Sequence, residues 1–195
     1  MEQKTDNKKL QTIIISKKFS GFNEFKVLVD ARQKDKDTRL ILQAVFCDAE
    51  DPLCRLVACD GKRIHILENI WSHNFVKGVR YNVVENAKEI VFIPIENDDA
   101  VFPNYRKITE AEPTTSFKSF ELEFKKKPRT EREFLSEIFY KLGSNSAPII
   151  DVEYLKSFKA INGVKVSFVD NNDAPIKIES ANTYLKGYIA TKEDF

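Results

Sequence analysis

The chain has 195 residues, with 31 Lys and Arg against 30 Asp and Glu and a formal net charge of +1. That length buries a core of one or two domains. So even a balance argues against an indiscriminate, strongly basic nucleic-acid binder, although a basic strip can still sit opposite acidic surface. No apolar run reaches the roughly 18 residues of a membrane-spanning helix. The polar start, residues 1–9, lacks the apolar stretch of a signal peptide. Cys47, Cys54 and Cys59 have neither Cys-x-x-Cys spacing nor a His pair beside them. That pattern predicts reduced, mostly buried thiols in a cytoplasmic protein, with no metal.

Residues 1–10 read as a disordered leader. Thr12–Ser16 is a β-branched run and predicts a strand. From Gly21 to about Arg32, Phe22, Phe25, Leu28 and Val29 recur at spacings of three and four, which predicts a helix with one apolar face. Arg39–Cys47 reads as a strand and Asp48–Pro52 as a turn. Arg55–Leu67 then holds two apolar-rich runs around Asp60-Gly61. That pair is a hairpin signal, because Gly61 supplies the positive φ of a tight turn without steric cost. Leu56, Ala58, Ile64 and Ile66 are expected on one face of this hairpin.

Tyr81–Glu85 and Glu89–Ile95 predict a second hairpin turning at residues 86–88, with Pro94 marking a strand end or an edge. Residues 109–116 read as a linker between a first half, 11–108, and a second, 117–195. Phe117–Phe124 alternates as a strand does. Thr130-Glu-Arg-Glu133 is a capping box opening a helix whose apolar face is Phe134, Leu135, Ile138, Phe139 and Leu142, and Gly143 ends it. A short strand at Ala147–Asp151 and a helix from Val152 to about Ile161 follow, the latter burying Val152, Leu155, Phe158 and Ile161. Strands at Val164–Val169, Pro175–Glu179 and Tyr184–Ala190 finish the chain. Each half thus reads strand, helix, three strands: an α+β fold of repeated βαβββ units, antiparallel and backed by helices.

Catalytic patterning is missing. The acids form no pair distinct from surface charge, neither His stands in a triad motif, and no glycine loop cradles a phosphate. The sequence predicts a binding protein without cofactor or metal.

Two segments carry a resemblance. Val57-Ala-Cys-Asp-Gly-Lys-Arg-Ile64 resembles the "VATDG(H/Y)R(L)" hairpin of bacterial sliding clamps, the β subunit of DNA polymerase III. Phe102-Pro-Asn-Tyr-Arg-Lys-Ile108 resembles their "FPDYRRV" segment, and the two occur in family order. Cys59 stands where the family has Thr, and Lys62 where it has His or Tyr. The run from Tyr154 through Val164-Lys-Val to Pro175-Ile-Lys-Ile is similar to the last half-domain of those clamps. The family's subunit has three domains, whereas this chain has room for one enlarged domain or two trimmed ones.

The resemblance implies a DNA-clamp fold with curved sheets and helices on one face. It also implies a replication accessory that binds DNA polymerase or other replication and repair proteins through a clamp-binding peptide. By motif match the peptide pocket comprises Cys59, Gly61, Lys62, Arg63 and Ile64, then Pro103, Lys107 and Ile108, then Ile189 and Thr191. Clamp helices line the DNA hole without reading sequence, so Lys26, Arg32, Arg132, Lys141, Lys156 and Lys159 are the expected backbone contacts, in a ring of several copies. The alternative is a clamp-fold adaptor that binds partner peptides, forms no ring and holds no DNA.

Overall fold

The computed structural model describes residues 10–34, 39–48, 54–70, 73–96, 99–109, 118–122, 130–144, 150–161, 163–168, 175–180 and 183–190. Its strands are β1 (Ile13–Ser16), β2 (Val45–Cys47), β3 (Leu56–Cys59), β4 (Arg63–Leu67), β5 (Arg80–Glu85), β6 (Glu89–Pro94), β7 (Lys118–Leu122), β8 (Val164–Phe168), β9 (Ile176–Ser180) and β10 (Leu185–Ile189). They form one ten-stranded sheet in the order β1-β6-β5-β2-β3-β4-β10-β9-β8-β7, and every pairing is antiparallel. The helices are α1 (Phe22–Asp30), α2 (Arg106–Thr109) and α3 (Glu131–Ser144), with 3-10 segments at Leu40–Gln43 and Val152–Ala160.

Two units of strand, helix and three strands enter the sheet in opposite order and meet through their last strands. β4 pairs β10 from Arg63↔Ile189 to Leu67↔Leu185. The β5–β6 hairpin lies between β1 and β2 of the first unit, whereas β7 pairs directly with β8 in the second. The strand of the second unit is therefore β7. Ile150 and Asp151, read from sequence as the end of that strand, are not in a strand. Asp151 instead caps the helical segment after it, accepting the Glu153 amide at 3.1 Å, which is what an Asp before a helix does.

Alternate residues of the strands face α1, α3 and Val152–Ala160 in one large core. Phe25, Leu28, Leu155 and Phe158 pack there with Val45, Leu56, Leu67, Ile178 and Ile189. Phe25 is edge-on to Phe92 and stacked with Phe75. Val27 is buried as well as the four apolar residues expected of α1, because this helix touches both the sheet and the neighbouring helical segment. Thr130 and Glu133 form the expected capping box: each side chain accepts the other's amide, at 3.1 and 3.3 Å. On α3, Ile138 and Leu142 are buried but Phe139 is 56% exposed.

The reading of Arg39–Cys47 as one strand needs correcting. Only Val45–Cys47 is strand, and Leu40–Gln43 is a 3-10 turn. Arg39 sits at φ 38° and turns the chain, so that Leu42 drops into a second core on the far face. The hairpin faces also differ from expectation. Cys59 pairs with Ile64 and Val57 with Ile66, so Ile64 and Ile66 share a face with Val57 and Cys59, opposite Leu56 and Ala58. Residues facing each other across an antiparallel pair always project to the same side. The linker expected at 109–116 lies outside the described residues apart from Thr109, which ends α2.

Candidate functional site

The hairpin turn is built by Asp60. Its carboxylate accepts the amides of Lys62 and Arg63 at 2.9 and 3.0 Å, and its own amide reaches the Arg63 carbonyl at 3.3 Å. Gly61 takes φ +91°, so a side chain here would be strained. A Cβ on Gly61 would also lie 2.7 Å from Arg39 Nη1, which places the Arg39 guanidinium over the tip of the turn. The ladder with β10 continues past the strands, since the Ala190 amide donates to Lys62 O at 2.9 Å.

On the sheet face away from the helices, a second core gathers Leu42, Val57, Cys59, Ile64, Ile66, Phe102, Tyr105 and Tyr188. It joins three segments distant in sequence: the β3–β4 hairpin, the stretch 102–108 and the last strand. Phe102 stacks on Phe46 with ring centroids 5.0 Å apart. The Tyr105 hydroxyl donates to Asp48, and Arg106 Nη2 donates to the same carboxylate at 2.6 Å. Asp48 is 3% exposed, a position a carboxylate holds only when paired. Burial, with Asp48 as hydrogen-bond partner, pushes the Tyr105 phenol well above its ordinary range. Arg55 reaches the same hydroxyl at 3.5 Å and pairs with Glu68 at 3.0 Å. Beside this clasp lies a groove of about 530 Å³ bordered by Phe46, Val101, Phe102, Pro103 and Lys107.

The structure distributes the expected pocket residues over two faces. Cys59 and Ile64 lie in the second core, and burial raises the Cys59 thiol. Gly61 and Lys62 are exposed at the turn, Pro103 and Lys107 are exposed on the groove wall, and Ile108 is 49% exposed beside them. Arg63 and Ile189 project to the helix side. Thr191 lies outside the described residues. The residue of β10 on the groove side is Tyr188, opposite Ile64. Tyr188 opens the segment 188–191 that the sequence reading assigns to this face, whereas Leu42, Phe46 and Arg39 were not read from sequence as part of it. Arg39 follows from a backbone turn that the sequence does not announce.

On the helix side, Arg63 anchors the hairpin to α1. It donates to Asp30 Oδ2 at 3.0 Å, to the Asp30 carbonyl at 2.6 Å and to Asp60 Oδ2 at 3.0 Å, and its guanidinium lies over the Tyr154 ring. Burial alone would raise the Asp30 carboxyl, but Lys34 and Arg63 outweigh it and hold it below the usual range. His65 is fully buried with Nδ1 2.7 Å from Val27 O. The ring nitrogen facing a carbonyl carries the proton, which leaves Nε2 unprotonated and without a partner. Burial pushes this His down to about 4.

Between α1 and Val152–Ala160 runs a groove of about 450 Å³ lined by Asn23, Lys26, Asp30, Glu85, Lys156 and Lys159. Three of the six cations expected to meet DNA backbone thus share one groove. Lys156 pairs with Glu153. Arg32 does not line the groove but pairs with Glu85 on its wall and with the carbonyls of Val29 and Val83, and burial lowers its guanidinium. Arg132 is exposed on α3 and does not line this groove; the Lys141 side chain lies outside the described part. Among the described residues no group of His, Cys, Asp and Glu is arranged to hold a metal, and no helix is long and apolar enough to cross a membrane.

No protein-family model matches the sequence, and no curated relative does. The fold is that of bacterial sliding clamps. The chain superposes on the DNA polymerase sliding clamp of Pseudomonas aeruginosa with a TM-score of 0.59 at 12% identity, covering 95% of this chain and 67% of that one. Against the DNA polymerase III β subunit of Thermotoga maritima the TM-score is 0.56 at 17% identity, over 94% of this chain and 66% of that chain. The Helicobacter pylori β clamp, solved with a DNA ligase peptide, gives 0.52 at 13% identity, over 95% and 66%. The chain therefore spans about two thirds of the length of the clamps it resembles.

Proposed function

We propose that this chain is a divergent sliding-clamp-like accessory of DNA replication, non-catalytic, which takes partner peptides on the outer face of its sheet. The observation that carries this reading is the meeting of the β3–β4 hairpin, residues 102–108 and β10 around one apolar cluster. Nothing in local propensity requires those segments to meet. The groove beside them has Phe46, Val101, Phe102 and Pro103 on its wall together with Arg106 and Lys107. Such a surface suits a peptide with an apolar pair and polar or acidic neighbours. A clamp of the same fold has been solved with a DNA ligase peptide, which supports replication and repair proteins as partners.

Calorimetric titration tests it. A short clamp-binding-type peptide ending in an apolar pair binds at micromolar strength, roughly −8 kcal/mol. Ile108→Asp adds a charge beside the apolar surface and abolishes binding; because Ile108 is 49% exposed, the fold survives. Equal affinity for both proteins would put the peptide elsewhere, and no binding to either would leave a shared fold without the shared function.

On the helix face, Lys26, Lys156 and Lys159 favour contact with duplex backbone, without sequence preference, in an assembly of several copies. A second reading is supported by Asp30 and Glu85 in that same groove: an adaptor that keeps the peptide groove, forms no ring and holds no DNA. Sedimentation with and without duplex at low salt separates the two.

A further inference from the structure

Cys47 and Cys54 stand seven positions apart with their sulfur atoms 3.5 Å from each other. Neither is in a disulfide, and both are buried on the helix side of the sheet. The backbone explains the approach. Cys47 ends β2, the Asp48 amide donates to Arg55 O at 2.8 Å to close the ladder, and Cys54 lies one residue beyond that rung. Cys54 holds φ +57°, a left-handed conformation that is uncommon outside glycine and marks a local constraint.

We propose that Cys47 and Cys54 are a redox-modifiable pair whose disulfide locks the end of the β2–β3 ladder and, through it, the Tyr105 clasp. The sulfurs must close from 3.5 Å to about 2.05 Å, a movement of roughly 1.5 Å shared by two side chains. The oxidant is a small disulfide, RSSR. The Cys54 thiol loses its proton and attacks one sulfur of RSSR, forming a mixed disulfide and expelling RS⁻. Cys47 then attacks the Cys54 sulfur and expels the second RS⁻. The two protons leave with the thiolates, so one dithiol and one RSSR become one protein disulfide and two RSH. The shared hydrogen bond and burial raise the Cys47 thiol, which makes the reaction slow. Cys59 belongs to the other core and is not a competing partner.

The consequence reaches the outer face through the next residue on each strand. Asp48 follows Cys47 and Arg55 follows Cys54, and both touch the Tyr105 hydroxyl. Tyr105 in turn accepts, at its carbonyl, the amides of Ile108 and Thr109. Holding residues 47 and 54 together holds both supports of the stretch that borders the groove.

The test uses the full chain with hydroxyethyl disulfide as oxidant and reduced 2-mercaptoethanol as its reversal. Intact mass falls by the two thiol hydrogens, peptide mapping finds a Cys47–Cys54 crosslink, and one thiol remains. Cys59→Ser still forms the crosslink and Cys47→Ser does not. In the oxidised protein, amide exchange at Ile108 and Thr109 slows several-fold and returns on reduction. A stable mixed-disulfide adduct, or three thiols persisting under conditions that fully oxidise a model dithiol, overturns the pair. A crosslink that leaves exchange at Ile108 and Thr109 unchanged overturns the lock. Neither readout depends on whether peptides bind the groove.

Discussion

Arg63 and Asp30 join the hairpin turn to the end of the first helix by two bonds, 3.0 Å to the carboxylate and 2.6 Å to the backbone carbonyl. Arg63 is 8% exposed. The same guanidinium closes on Asp60, so one buried cation satisfies two acids on different elements. Through this residue the strand that supplies Ile64 to the outer face is positioned by the helix that supplies Lys26 to the inner one.

Arg63→Ala leaves Asp60 and the C-terminal end of α1 without their partner. Losing a buried cation from a satisfied network costs several kcal/mol, and the Asp30 side chain at 31% exposure recovers part of that from water. The expected loss is about 2–3 kcal/mol, read as a lower urea midpoint. A change within experimental error would mean that the network is solvated in solution.

His65 makes stability depend on pH. Its folded pKa lies at about 4, below the ordinary 6.5, because burial disfavours the charged ring. The unfolded chain therefore binds a proton that the folded chain does not, between those two values. The contribution is complete above about pH 6.5 and is lost as pH falls toward 4; it amounts to about 3 kcal/mol. Asp30, whose carboxyl is lowered, adds a loss at more acidic pH. Urea unfolding at a series of pH values should show the steep segment in wild type and a flatter one in His65→Leu. Parallel curves for the two proteins would remove His65 as the cause.

Gly187 is where β10 passes under the helical segment. An added Cβ would stand 2.5 Å from Phe158 Cζ and 3.4 Å from His65 Cδ2. Phe158 is 1% exposed and has nowhere to turn, so Gly187→Ala should cost about 1–3 kcal/mol as overpacking. Thermal unfolding measures it, and a neutral substitution would show that the helix can lift from the sheet.

Phe25→Ala removes a ring that is 2% exposed, between Phe75 and Phe92. Its expected cost is about 3–5 kcal/mol. Chemical denaturation checks this value; a loss below about 1 kcal/mol would place α1 outside the cooperative core.

The inner groove should answer to charge and salt. Lys26→Glu with Lys159→Glu is expected to abolish duplex binding at low salt. In wild type, affinity falls steeply as salt rises, since each phosphate contact releases a counterion. Fluorescence anisotropy with two unrelated duplexes gives the slope. Binding that tracks base sequence, or persists in the double variant, would assign DNA to another surface.

Local chemistry in the sequence determined most of the elements. Gly61 takes the positive φ that Asp60-Gly61 calls for, the Thr130–Glu133 box caps α3, and Phe22, Phe25, Leu28 and Val29 face the core. These depend on neighbours within a turn or so, where spacing is direct evidence of geometry. The two motif segments likewise point to the clamp fold. Tertiary structure decided what faces what. Arg39 turns left-handed and Leu42 leaves the strand pattern, because a second core on the far side of the sheet takes Leu42 in. Register sends Arg63 and Ile189 to the helices and Tyr188 to the second core: strand side chains alternate, and only the pairing of β4 with β10 settles which parity faces which core. The gathering of Lys26, Lys156 and Lys159 beside Asp30 and Glu85 depends on two helical segments far apart in the chain lying side by side. No local pattern encodes that arrangement, because it arises from burial summed over both cores.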